Sequence, residues 1–101
     1  MFFSFGPEIS YQQLSASGVV NDSGKPQALY GMAVNSAGTS AIPTFFDGTS
    51  SLGTAVFNQS GSASGWANFQ YSTGLVFPKG LYVSFDANTT KVTTWARQVL
   101  T

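Results

Sequence analysis

Cysteine and histidine are both absent from this 101-residue chain, and charge is scarce: 8% of residues, four of each sign, net zero. Without cysteine no disulfide can staple the fold and no thiolate can act. Without either residue the usual general base and the soft metal ligands are missing. Ser–His–acid and Cys–His nucleophilic sites cannot be built. The four cations, Lys25, Lys79, Lys91 and Arg97, are scattered. A nucleic-acid binder shows a basic stripe instead, so no nucleic acid is expected as partner. No metal and no cofactor are expected either.

Four carboxylates remain, Glu8, Asp22, Asp47 and Asp86. Two suffice for glycoside hydrolysis. Three of the four, however, stand in turn-like contexts: Asn21-Asp22-Ser23-Gly24, Asp47-Gly48 and Asp86-Ala87-Asn88. Aspartate is favoured there because it hydrogen-bonds its own backbone. A calcium loop clusters several acids, and none cluster here. The chain is expected not to be an enzyme; a small hydrolase using Asp47 or Asp86 is the least favoured class. The glycine-rich piece Gly61-Ser62-Ala63-Ser64-Gly65 lacks the Gly-Lys-Ser/Thr ending of a phosphate loop.

Long hydrophobic runs are also lacking. The opening stretch, MFFSFGPEIS, is interrupted at Ser4 and stopped by Gly6 and Pro7. It has no basic residue, which a secretory signal needs. It is far shorter than the ~20 apolar residues that span a bilayer. Targeting, anchoring and a membrane partner are all disfavoured. Residues 1–8 read instead as an apolar arm cut off from a domain over 9–101, the alternative being a plain edge strand packed on its own domain. Exposed aromatic clusters mark interfaces, so Phe2, Phe3, Phe5 and Pro7 are the candidate residues for contact with another subunit or protein.

What the chain does have is Ser, Thr, Asn, Gln and Gly, with 15% aromatic residues. That is the composition of β-sandwiches and protein shells, not of disorder. Alternation dominates and no helical period is convincing. Strands are expected over Gln12–Val20, Ala28–Ser36, Ile42–Phe46, Thr54–Gln59, Trp66–Tyr71, Leu75–Phe77, Leu81–Asp86 and Lys91–Leu100. Ala28, Tyr30, Met32 and Val34 would share one face of the second, and Leu81, Val83 and Phe85 one face of the seventh. In the last, Val92, Thr94 and Ala96 would oppose Lys91, Thr93, Trp95 and Arg97. The fold class is all-β: a single-domain sandwich of about eight short antiparallel strands, jelly-roll-like, with an immunoglobulin-like topology as the alternative. Trp66 and Trp95 are candidate surface aromatics for a ligand such as a sugar, against the more ordinary role of packing.

Four short motifs add a resemblance. Ser17-Gly18-Val19-Val20, Leu29-Tyr30-Gly31, Phe46-Asp47-Gly48 and Gly80-Leu81-Tyr82-Val83 occur in that order. Over roughly Ile9 to Leu100 the chain resembles small structural proteins of tailed-bacteriophage virions, of the capsid decoration (cement) or head-fibre type. The resemblance implies a jelly-roll-like sandwich, a trimer on the outer capsid surface, and the major capsid protein as partner. It implies a protein made in the bacterial host cytoplasm and located in the virion. A tail, spike or head-fibre module binding host carbohydrate or receptor is the alternative.

Overall fold

The computed structural model describes residues 9–21 and 24–99. Eight strands follow one another: β1 (Ser10–Leu14), β2 (Gly18–Val19), β3 (Gln27–Ser36), β4 (Thr44–Asp47), β5 (Thr54–Asn58), β6 (Gly65–Phe77), β7 (Leu81–Ser84) and β8 (Thr89–Gln98). They form two four-stranded sheets, one in the order β1-β8-β3-β6 and one in the order β2-β7-β4-β5. Every pairing is antiparallel. The partners nest: β1 with β8, β2 with β7, β3 with β6 and β4 with β5. The chain is thus one long hairpin rolled into two layers, with its tip between β4 and β5. This is jelly-roll topology, and the immunoglobulin-like alternative is set aside.

The core lies between the layers. Leu29, Met32 and Val34 of β3 and Val92 and Ala96 of β8 meet Phe45, Leu81 and Val83 of the other sheet, all fully buried. Phe45 stacks on Phe57 at 4.7 Å between ring centroids and 5° between planes. Burying a side chain of this size is worth about 1.5–3 kcal/mol. Thr94 is also fully buried, and its hydroxyl donates to the Gln12 carbonyl at 3.5 Å. Among the described residues no buried side-chain polar atom lacks a partner, as a stable interior requires.

Three strand expectations change. Gln12–Val20 is not one strand: the chain crosses between sheets at Ser15–Ser17, leaving β1 in one layer and β2 in the other. Trp66–Tyr71 and Leu75–Phe77 are not separate pieces but one strand of 13 residues. The irregular part between them is a bulge, because Leu29 pairs with Leu75 while Gly31 pairs with Gln70. Gly74 lies in it with φ +78, and its missing Cβ makes room for the Tyr30 ring. A second shift, against β8, where Leu29 pairs with Ala96 and Gly31 with Trp95, corrects the facing of β3. Tyr30 is the extra residue, so Leu29, Met32 and Val34 point into the core, while Ala28, Gly31, Ala33 and Asn35 lie on the outer side. A bulge inverts the alternation beyond it. The faces expected for β7 and β8 stand.

One residue secures the β1–β2 side. Asn21 has φ 59, left-handed backbone that asparagine tolerates. Its backbone N–H donates to Gln12 Oε1 at 2.6 Å, and its side-chain amide donates to the fully buried Gln27 Oε1 at 2.9 Å. Ser10 Oγ donates to Asn21 Oδ1 at 3.0 Å. The same Asn21 amide donates to the Ala96 carbonyl of β8 at 3.5 Å, so one side chain ties β1, β3 and β8.

Candidate functional site

The outer face of the β1-β8-β3-β6 sheet carries a row set by register: Tyr11, Trp95, Gly31 and Gln70 stand side by side across four strands. Trp95 leans over Gly31. A Cβ at residue 31 would stand 2.2 Å from Trp95 Nε1 and 2.3 Å from Cε2, so only glycine admits the indole. Tyr11 stacks beside it at 5.7 Å and is 76% exposed. The next row is uncharged, with three polar side chains beside Ala33: Gln13, Thr93 and Asn68. On the other side Arg97 lies over the Tyr30 ring at 5.6 Å. The result is a flat aromatic surface bordered by amides and one guanidinium.

Trp66 is on the same outer face but not in the same place. It pairs with Asn35, whereas Trp95 pairs with Gly31. Four strand residues separate those positions along β3, about 13 Å. The two tryptophans expected as surface aromatics are therefore not brought together. Trp66 is 49% exposed, and Trp95 packs on backbone. Tyr11, the residue that does join Trp95, lay outside the strand expected from the sequence. Its signal was the alternation in SYQQL, which with Leu14 inward places Tyr11 and Gln13 outward.

The second sheet has its own outer row. Val19, Tyr82, Phe46 and Ala55 are register neighbours, and Phe46 meets Tyr82 edge-on at 6.2 Å. Antiparallel sheets with one solvated face alternate apolar-in and polar-out; here apolar residues sit on both outer faces as well. Leu52, at the tip between β4 and β5, is 94% exposed.

Three of the four short motifs converge on this second sheet. Gly18 pairs with Val83, Val19 with Tyr82 and Phe46 with Tyr82. Val20 N–H donates to the Leu81 carbonyl at 2.8 Å, and Gly48 N–H donates to the Gly80 carbonyl at 3.0 Å. Leu29-Tyr30-Gly31 forms the bulge of the first sheet. These motifs shape strands and corners.

The described carboxylates secure loops. Asp47 Oδ1 accepts from the Lys79 backbone N–H at 2.7 Å. Asp86 accepts from the Ile42 N–H at 3.0 Å, the Asn88 N–H at 3.2 Å and the Thr89 hydroxyl at 2.5 Å. Burial alone would raise the Asp86 pKa; the hydrogen bonds from Thr89, Ile42 and Asn88 outweigh it and hold the carboxyl below its ordinary value. Asp47 ends β4, while Asp86 reaches Ile42 just before β4 begins. The two carboxylates thus secure chain at opposite ends of β4. Glu8 and Asp22 lie outside the described residues, as do Phe2, Phe3, Phe5 and Pro7. No cluster of three or more His, Cys, Asp or Glu side chains that could hold a metal occurs among the described residues. No described helix is long and apolar enough to cross a membrane. Compared with family models, with curated proteins and with solved structures, the chain matches none.

Proposed function

We propose that this chain is a structural protein of a bacteriophage virion: a capsid decoration protein that binds the outer shell as an oligomer and stabilises it. The observation that carries the reading is the pair of apolar rows on the outer faces, Tyr11–Trp95 on one sheet and Val19–Tyr82–Phe46 on the other, in a chain only 8% charged. Solvated faces of that kind are interaction surfaces. The resemblance over Ile9 to Leu100 supplies the virion context, and the jelly roll is a fold that viral shells use. Fold analogy alone would not assign a function.

The mechanism is mechanical. A protein that binds assembled shell better than loose subunits stabilises the shell by mass action. Several contacts per oligomer raise attachment far above that of one contact. The arm at Phe2, Phe3, Phe5 and Pro7 is the further contact, to the major capsid protein or to a sister subunit. The test is to add purified protein to shells of the same phage that lack it. Saturable co-sedimentation and a higher shell-disruption temperature are expected. Protein that stays in the supernatant at tens of micromolar overturns the reading.

One observation favours a second reading. The Tyr11–Trp95 pair, bordered by Gln13, Asn68 and Gln70, offers ring faces and amides of the kind that hold a neutral sugar. On this reading the chain is a fibre or spike module, and Tyr11→Ala with Trp95→Ala abolishes glycan binding while shell binding is unaffected.

A further inference from the structure

From Gly48 to Phe77 the chain carries no charged residue. This stretch contains all of β5 and β6, the turn that leads into β5 and the loop between the two strands. Both strands are sheet edges, β6 of one layer and β5 of the other. We propose that this side of the sandwich is where copies of the chain meet, each covering the β5–β6 side of the molecule with a second copy.

An exposed strand edge is a template for pairing, and monomeric proteins blunt it with short strands, lysine or proline. The opposite side of this molecule follows that rule. Its edge strands β1 and β2 have five and two residues, and Asn21 closes across them. The β5–β6 side does not. β6 has 13 residues, the longest strand, with neither charge nor proline in it. Its length is about 43 Å of strand.

The interior also opens on this side. Phe57 of β5 and Phe69, Tyr71 and Leu75 of β6 pack against the core yet are only half-buried, while their neighbours on β3 and β8 are sealed. Val56 is 51% exposed, Trp66 49% and Val76 58%. A second copy is the occupant that matches. Its own β5–β6 side is equally long and equally uncharged, so neither partner leaves a charge buried. Along Gly48–Phe77 an anionic polymer or membrane surface would find no cation to bind.

The inference deepens the oligomer part of the reading above, but it is tested without capsid, so the two fail separately. The mass of the purified full-length chain is measured by light scattering across a concentration series, beside the double variant Val56→Lys, Val76→Lys. Both valines are exposed, so the fold tolerates them. Wild type is expected at two or more chain masses and the variant at one, with unchanged circular dichroism. Hydrogen exchange of wild type is the second measurement, independent of any variant: β6 amides are expected to gain protection as concentration rises. A wild-type mass of one chain, or an oligomer in which β6 amides gain no protection, overturns the proposal. So does a folded variant that associates like wild type, which would assign the contact to another surface.

Discussion

The indole of Trp95 rests on the backbone of Gly31, at a separation that leaves no room for even a methyl group at residue 31. Gly31 has ordinary negative-φ backbone, so the need for glycine is steric alone. Gly31→Ala is expected to lift the indole and cost about 1–3 kcal/mol, the usual range for overpacking. Tryptophan fluorescence should shift as the ring is displaced. In a Trp95→Ala background the same change should cost little, and that non-additivity in denaturant melts is the diagnostic result.

Asn21 makes a separate prediction. Its left-handed φ and its bonds to Ser10, Gln12 and Gln27 act together. Asn21→Ala loses the side-chain bonds and strains the backbone, and should cost about 2–3 kcal/mol. Asn21→Gly relieves the strain alone and should fall between the two. Equal losses in both variants would show that the backbone conformation contributes nothing.

Asp86 predicts a pH dependence with a defined sign. Its folded pKa is lowered, so its contribution is present above the unfolded value, about 3.9, and is lost as pH falls through the folded value. Asp86→Ala should destabilise by about 1 kcal/mol at pH 7, an amount kept small because the carboxylate is well solvated. The difference between variant and wild type should shrink steadily below about pH 4. Chemical denaturation at pH 7, 5, 4 and 3 measures it.

Residues 1–8 precede the first strand, so their removal should leave the melting temperature of the isolated domain within about 2 °C, the scale of a minor change in stability. Capsid binding by the truncated chain should fall at least tenfold. Phe2, Phe3 and Phe5 changed together to Ser should reproduce that loss. Intact binding after truncation would remove the arm from the contact and leave the sheet faces alone to supply it.

Much of this fold was legible because alternation reports a half-buried strand wherever register is regular. Leu81-Tyr82-Val83 and Val92–Ala96 are such places, and their faces were read correctly. What the sequence hid lies at irregularities. Tyr30 is one extra residue, and nothing in Leu29-Tyr30-Gly31 distinguishes it from a regular strand until the Tyr30 ring is set against Gly74. The crossing at Ser15–Ser17 has no glycine or proline to mark it; its anchor is a long-range bond from the Phe85 N–H to Ser17 Oγ, at 2.8 Å. The tryptophans were visible as candidates, but the pairing of Trp95 with Tyr11 depends on β1 lying beside β8, a contact between the two ends of the chain.

The proposed role rests on attachment to the virion shell. The most direct test bands an infected-cell lysate on a density gradient and counts this chain per particle. Co-migration with filled particles, at a copy number in the hundreds, is the predicted result. Recovery only as free protein at the top of the gradient would contradict it.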